Sequence, residues 1–242
     1  MASWDYAANG PATWAKSFPA AAGQKQSPID INPGSAAKES VGALSASYKA
    51  GNNTLTNTGL SFAVSIDGSL SGGPLGAEFK AASFHFHWDK SSSAGSEHTV
   101  GGKSYASEVH IVHYNASKFS SVADAAKADG GLAVLAIFVQ AGGANAEVQK
   151  LVDLLPSCGS NGSSAAVPGG FNASALLPGD KASYWYYPGS LTTPPCSESV
   201  TWIVYKDAIS MSEAQLAAFR KITPSNYRPV QSLGGRKVCC SF

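Results

Sequence analysis

The sequence predicts a mainly β fold with a few peripheral helices, on three observations. Runs rich in aromatic and β-branched residues recur along the 242-residue chain, bounded by Gly, Ser, Pro and Asn. Segments with the apolar spacing of a helix are few. No Pro/Ser/Gly linker separates blocks with hydrophobic patterns of their own, so residues 1–242 read as one domain, long enough to bury a substantial core.

Taken in order, residues 60–66 alternate apolar and polar side chains, as a half-buried strand should. Phe84-His85-Phe86-His87-Trp88 and Glu108-Val109-His110-Ile111-Val112-His113-Tyr114 both read as strands. Residues 132–139 are almost wholly apolar, which fits a short central strand buried on both faces. Asn145 can cap a helix with Val148, Leu151, Val152 and Leu155 on one face and Pro156 as its stop. Residues 184–187 and 200–205 add two strands, and Ser210-x-x-Glu213 predicts a capping box opening a helix that buries Leu216, Phe219 and Ile222.

Composition narrows the function. The net charge is +1, only 14% of residues are charged and no basic stripe is present, which disfavours nucleic acid and anionic membrane as partners. No apolar run reaches transmembrane length.

All five histidines fall between His85 and His113. Side chains at i and i+2 of a strand share a face, so His85 and His87 project together. His110 and His113 point to opposite faces, so at most one of them joins the pair. Two imidazoles from one strand and one from its neighbour form the three-ligand set of a catalytic zinc site, whose fourth position stays open. Glu108 shares the face of His110, where a carboxylate fixes a ligand's tautomer and orientation. A lone His-x-His on an aromatic strand is more often a packed core pair, so the reading needs support from elsewhere in the chain.

That support is a resemblance to the α-class carbonic anhydrases. Gln26-Ser27-Pro28-Ile29-Asp30-Ile31, Ser96-Glu97-His98-Thr99-Val100 and Pro188-Gly189-Ser190-Leu191-Thr192-Thr193-Pro194-Pro195 resemble that family's signatures. Trp4-Asp5-Tyr6, Asn9-Gly10-Pro11, Val200-Thr201-Trp202-Ile203-Val204 and Asn226-Tyr227-Arg228-Pro229 match in order, from Trp4 to about Phe242. The resemblance implies an α+β roll in one catalytic domain: a large, twisted, mostly antiparallel sheet of about ten strands with short peripheral helices. It implies a Zn2+ cofactor held by His85, His87 and His110, and reversible hydration of carbon dioxide to bicarbonate and a proton by a zinc-bound hydroxide. Thr192 and Glu97 match the pair that orients this hydroxide. Val112, Val134, Leu191, Thr193, Val200 and Trp202 match the substrate pocket, and sulfonamides are the expected inhibitors. Glu108 is the expected partner of His110, whereas His98 and His113 are structural. Ser27–Pro28 and Pro194–Pro195 match cis peptide bonds. A non-catalytic relative serving as a binding or matrix protein is the alternative.

The chain departs from the family in three places. Ser83 replaces a glutamine whose amide supports the first ligand, so any support from the shorter hydroxyl needs a bridging water. Leu60 stands where the fastest members carry a proton-shuttling histidine, so protons are expected to leave through water directly to buffer or through a poorer group such as Tyr6. Secreted members pair a cysteine upstream of Gln26 with the Cys196 position, but residues 20–23 are Ala-Ala-Ala-Gly. Cys196 is therefore expected to be a free thiol and the protein cytoplasmic, with pairing among Cys158, Cys239 and Cys240 left open. Sequons at Asn52, Asn115, Asn161 and Asn172 keep a secreted chain, trimmed of its signal, as the alternative.

Overall fold

The computed structural model describes residues 3–242, in which thirteen strands join one sheet. Its centre is three antiparallel neighbours, Phe79–Trp88, Ser107–Tyr114 and Leu132–Ala141. Leu132–Ala141 then runs parallel to Val200–Tyr205, which pairs antiparallel with Tyr184–Gly189. The sheet is thus mixed, and larger than the ten or so strands expected. The surplus includes two- and three-residue segments such as Ala37–Lys38, Ser164–Ala166 and Cys239–Cys240, too short to carry a period.

The near-continuous apolar run of the central strand has a direct cause. Ala133, Leu135, Ile137 and Val139 enter a core on one face of the sheet, where Phe62, Phe84, Phe86, Val109 and Ile111 meet the helices Ala146–Leu154 and Glu213–Phe219. Leu132, Val134, Ala136 and Phe138 enter a second cluster on the other face, with Val200 and Trp202. His110 pairs across the ladder with Ala136 and therefore faces this second side.

Three local expectations change. The strand predicted over 60–66 is Phe62–Ser65, because Gly59 at φ +83° and the Thr58 N–H bond to the Ser61 carbonyl turn Leu60 out of the ladder. Asn145 caps its helix, its Oδ1 accepting from Glu147 and Val148 N–H, but Pro156 does not stop the chain's winding. It sits in the first turn of a 3-10 segment, Leu155–Cys158, where its missing N–H costs nothing. The capping box belongs to Ser212 and Gln215, since Ser210 is in the strand Ile209–Met211 paired with Gln140. Glu213 instead binds Arg220 and Ser92. Both expected cis bonds, Ser27–Pro28 and Pro194–Pro195, are present. All four cysteines are free, and Cys196 packs against Trp14 and Ala21, within the stretch that lacks a partner cysteine. Among the described residues no helix is long and apolar enough to cross a membrane.

Candidate metal centre

Register builds the site. His85 lies opposite His110, and His87 opposite Glu108, on adjacent antiparallel strands, so all four side chains share one face. One ligand atom from each of His85, His87 and His110 lies within 4.8 Å of the other two. His113 projects to the opposite face, where Nε2 meets the Tyr48 hydroxyl at 3.0 Å and Nδ1 the Ala133 carbonyl at 3.3 Å. Burial lowers the pKa of each of the three clustered rings, which keeps them in the neutral form a metal requires.

The partners of the rings assign their protons. His87 Nδ1 lies 2.7 Å from the Asn226 carbonyl, an acceptor, so Nδ1 carries the proton and Nε2 a lone pair. His110 Nε2 lies 2.6 Å from Glu108 Oε1. Burial pushes Glu108 upward, but the facing His98 and hydrogen bonds from His110 and His98 outweigh it, so it stays a carboxylate. His110 Nε2 therefore donates, and Nδ1 bears the lone pair. These two lone-pair nitrogens face each other at 3.1 Å. Neither has a proton for the other, and a shared cation resolves the conflict. Two nitrogens on one tetrahedral zinc stand about 3.3 Å apart, given Zn–N bonds of about 2.05 Å. The donor set and its spacing fit zinc.

Behind His110 the network continues. Glu108 also accepts from His98, at 2.8 Å from its backbone N–H and 2.7 Å from Nδ1. His98 Nε2 meets the Tyr187 hydroxyl at 2.6 Å, which in turn bonds Ser27 Oγ at 2.9 Å. His98, Glu108 and His110 also lie close enough for a second metal, but their nitrogens and carboxylate satisfy one another. Among the described residues no direct hydrogen bond joins Ser83 to His85.

Thr192 sits in a loop tied to the N-terminal segment by reciprocal Ser27–Ser190 bonds of 2.9 and 3.1 Å, and to Trp202 Nε1 through the Ser190 carbonyl at 3.0 Å. Glu97 is buried, with Oε1 accepting the Arg228 backbone N–H at 2.8 Å and lying 3.3 Å from His87 Nδ1. Burial drives its pKa well up, and the Thr192 hydroxyl is the foremost group opposing this. Oε2 nonetheless has no partner in full hydrogen-bond geometry. Thr192 thus faces the carboxylate without closing a tight bond to it.

Val134, Val200 and Trp202 belong to the apolar cluster on the histidine face, and Val112 and Leu191 pack against it. The Trp202 ring stands 4.7 Å from that of His110. Thr193 lies beside Thr192, its carbonyl accepting Cys196 N–H at 2.9 Å. Leu60 is half-buried, and its carbonyl accepts from Asn226 Nδ2 at 3.0 Å. Burial, Glu97 and Cys196 all push the Tyr6 hydroxyl well above its ordinary pKa. A cavity of about 840 Å3 opens elsewhere, beside Val152, Leu155, Ala218 and Ile222, and no histidine lines it.

The sequence marks no role for Asn226, Arg228 or Tyr187; the available signal is that two of them are polar residues within Asn226-Tyr227-Arg228-Pro229.

The eukaryotic-type carbonic anhydrase family model matches residues 9–242. Carbonic anhydrase 1 of Mus musculus is 43% identical over 260 residues, covering 100% of this chain and 99% of the mouse protein. Carbonic anhydrase 1 of Monodelphis domestica is 41% identical, covering 99% of this chain and 98% of its own length. Carbonic anhydrase 7 of Homo sapiens is 42% identical, covering 99% and 97%. The chain belongs to the eukaryotic-type carbonic anhydrase family.

Proposed function

We propose that this protein holds one Zn2+ on His85, His87 and His110 and catalyses the reversible hydration of carbon dioxide to bicarbonate and a proton. The observation that carries the proposal is the pair of lone-pair nitrogens, His87 Nε2 and His110 Nδ1, facing each other at 3.1 Å with their other nitrogens committed as donors. Carbonic anhydrase is the type case in which bound zinc lowers the pKa of its water to about 7, so that a nucleophile exists at neutral pH.

The chain's own residues do the rest. With its hydroxyl hydrogen-bonded to Glu97, Thr192 would have only oxygen lone pairs left to offer, so it would accept a hydrogen bond from a nucleophile at the metal and hold that nucleophile's lone pair toward the incoming carbon. Burial works against an ionised Glu97; the Arg228 N–H and a nearby divalent cation favour the carboxylate this role needs. Carbon dioxide is small and apolar, so the wall of Val112, Val134, Leu191, Val200 and Trp202 needs no charged clamp.

The proton leaves by water and buffer. His85, His87 and His110 are ligands in this reading, His98 and His113 are buried in hydrogen bonds, and Leu60 cannot titrate. The test is the hydration rate of purified protein before and after chelation, with His110→Ala as the inactive control. Loss on chelation and recovery with zinc is the expected result. Activity that persists in the demonstrably zinc-free protein would overturn the zinc reading, and a zinc-loaded protein without activity would favour a binding protein on this scaffold.

A further inference from the structure

Asn226 is 1% exposed, and every polar atom it carries is engaged with the metal-ligand strand or with the Leu60 loop. Its carbonyl accepts His87 Nδ1–H at 2.7 Å, and its N–H donates to the Trp88 carbonyl at 3.1 Å. In the carboxamide, Oδ1 accepts Trp88 N–H at 2.7 Å, while Nδ2 donates to the Phe86 carbonyl at 3.1 Å and the Leu60 carbonyl at 3.0 Å. This arrangement fixes the amide's orientation: a flip would set N–H against N–H and oxygen against two carbonyls.

The reason for so dense a set lies in the sheet. Of the ligand strand, the neighbouring strand Phe62–Ser65 pairs with Ser83, Phe84 and His85 and no residue beyond. Beyond His85 the ligand strand loses that neighbour, yet His87 and its flanking Phe86 and Trp88 are buried, so their backbone groups need partners. The Asn226 side chain supplies them, with Ser61 Oγ adding a 3.0 Å bond to the Phe86 carbonyl.

We propose that the Asn226 carboxamide is a positioning residue of the metal centre: it takes the place of the missing strand on both sides of His87. It thereby holds its own carbonyl on His87 Nδ1 and tethers the Leu60 loop to the same strand. The proposal rests on the zinc reading above. Asn226→Ala keeps the backbone carbonyl and deletes the brace, so His87 loses its fixed angle rather than its partner.

The experiment measures zinc release into excess chelator and the Tm of the metal-free protein. Asn53→Ala is the matched control, since Asn53 is equally buried and bonds the Ser65 carbonyl and Phe171 N–H at 2.8 and 2.7 Å, away from the ligands. Asn226→Ala is expected to release zinc about ten to a hundred times faster than wild type, the range in which groups that orient a ligand change metal affinity. Asn53→Ala is expected to lose comparable Tm and release zinc at the wild-type rate. The visible spectrum of the cobalt-substituted protein should change in Asn226→Ala alone. Asn226→Asp, which keeps the volume and the Trp88 bond but presents oxygen to two carbonyls, stands in if the alanine variant does not fold. Equal zinc release from the Asn226 and Asn53 variants would overturn the role. A wild-type protein that takes up no zinc would instead overturn the metal reading, and the proposal with it.

Discussion

Replacing His110 and His113 separately should divide zinc binding from stability. The two residues are three apart on one strand and face opposite sides. His113→Ala leaves the Tyr48 hydroxyl and the Ala133 carbonyl unpartnered in a buried site, at about 1–3 kcal/mol each, and opens a cavity besides. A total loss of about 3–5 kcal/mol is expected at pH 7.5, with zinc retained. Burial also lowers the His113 pKa to about 4, against the two backbone carbonyls that raise it. The unfolded ring binds its proton below about pH 6.5. Between these values the unfolded state holds more protons, so His113 makes wild-type stability fall as the pH drops from about 6.5 to 4, by about 3 kcal/mol in all. Above that window its contribution is constant. The variant lacks this titration, so the stability gap between it and wild type should be widest at neutral pH and narrow on acidification. Denaturant unfolding at pH 7.5, 6 and 5, with zinc content measured on the folded protein, reads both effects. His110→Ala should lose zinc. If His113→Ala lost zinc while His110→Ala kept it, the assignment of faces would be wrong.

Turnover should rise with buffer concentration, imidazole buffers above all, because Leu60 cannot titrate at the position of the shuttle. Leu60→His should raise turnover and flatten that dependence in stopped-flow assays; a wild-type rate that is high and independent of buffer would refute the point. Glu108→Gln removes the carboxylate that orients His110 and should weaken zinc about ten- to a hundredfold in chelator competition; unchanged affinity would count against the tautomer argument. An aromatic sulfonamide, bound through its deprotonated nitrogen and donating to Thr192, should lose affinity in Thr192→Ala, as measured by calorimetry. Undiminished binding would place the inhibitor elsewhere.

The proposed ligands are legible in the sequence because strand geometry is local. The i, i+2 rule places His85 beside His87, and the opposite parity of His110 and His113 leaves one of them for the site. Neighbourhood on the sheet does not follow from either run alone, so the choice of His110 came from the resemblance. The register then explains it, by setting His85 opposite His110. Asn226 and Arg228 could not be assigned this way, since their bonds to His87 and Glu97 span 139 and 131 residues and no periodicity encodes such contacts. The same holds for the fold. The apolar run at 132–139 announces a two-faced core strand, whereas Cys239–Cys240 and Ala37–Lys38 are strands only by being added in turn beside Tyr184–Gly189 at the rim of the sheet. Leu60 was read as part of a strand because its side chain continues an alternation that the Gly59 turn interrupts.

The most direct test of the central claim is a zinc titration of metal-free protein with carbon dioxide hydration followed by stopped flow. The account predicts activity that rises linearly with added zinc and stops rising at one ion per chain, with none in His87→Ala. Activity independent of zinc, or zinc bound at one per chain without hydration, would contradict it.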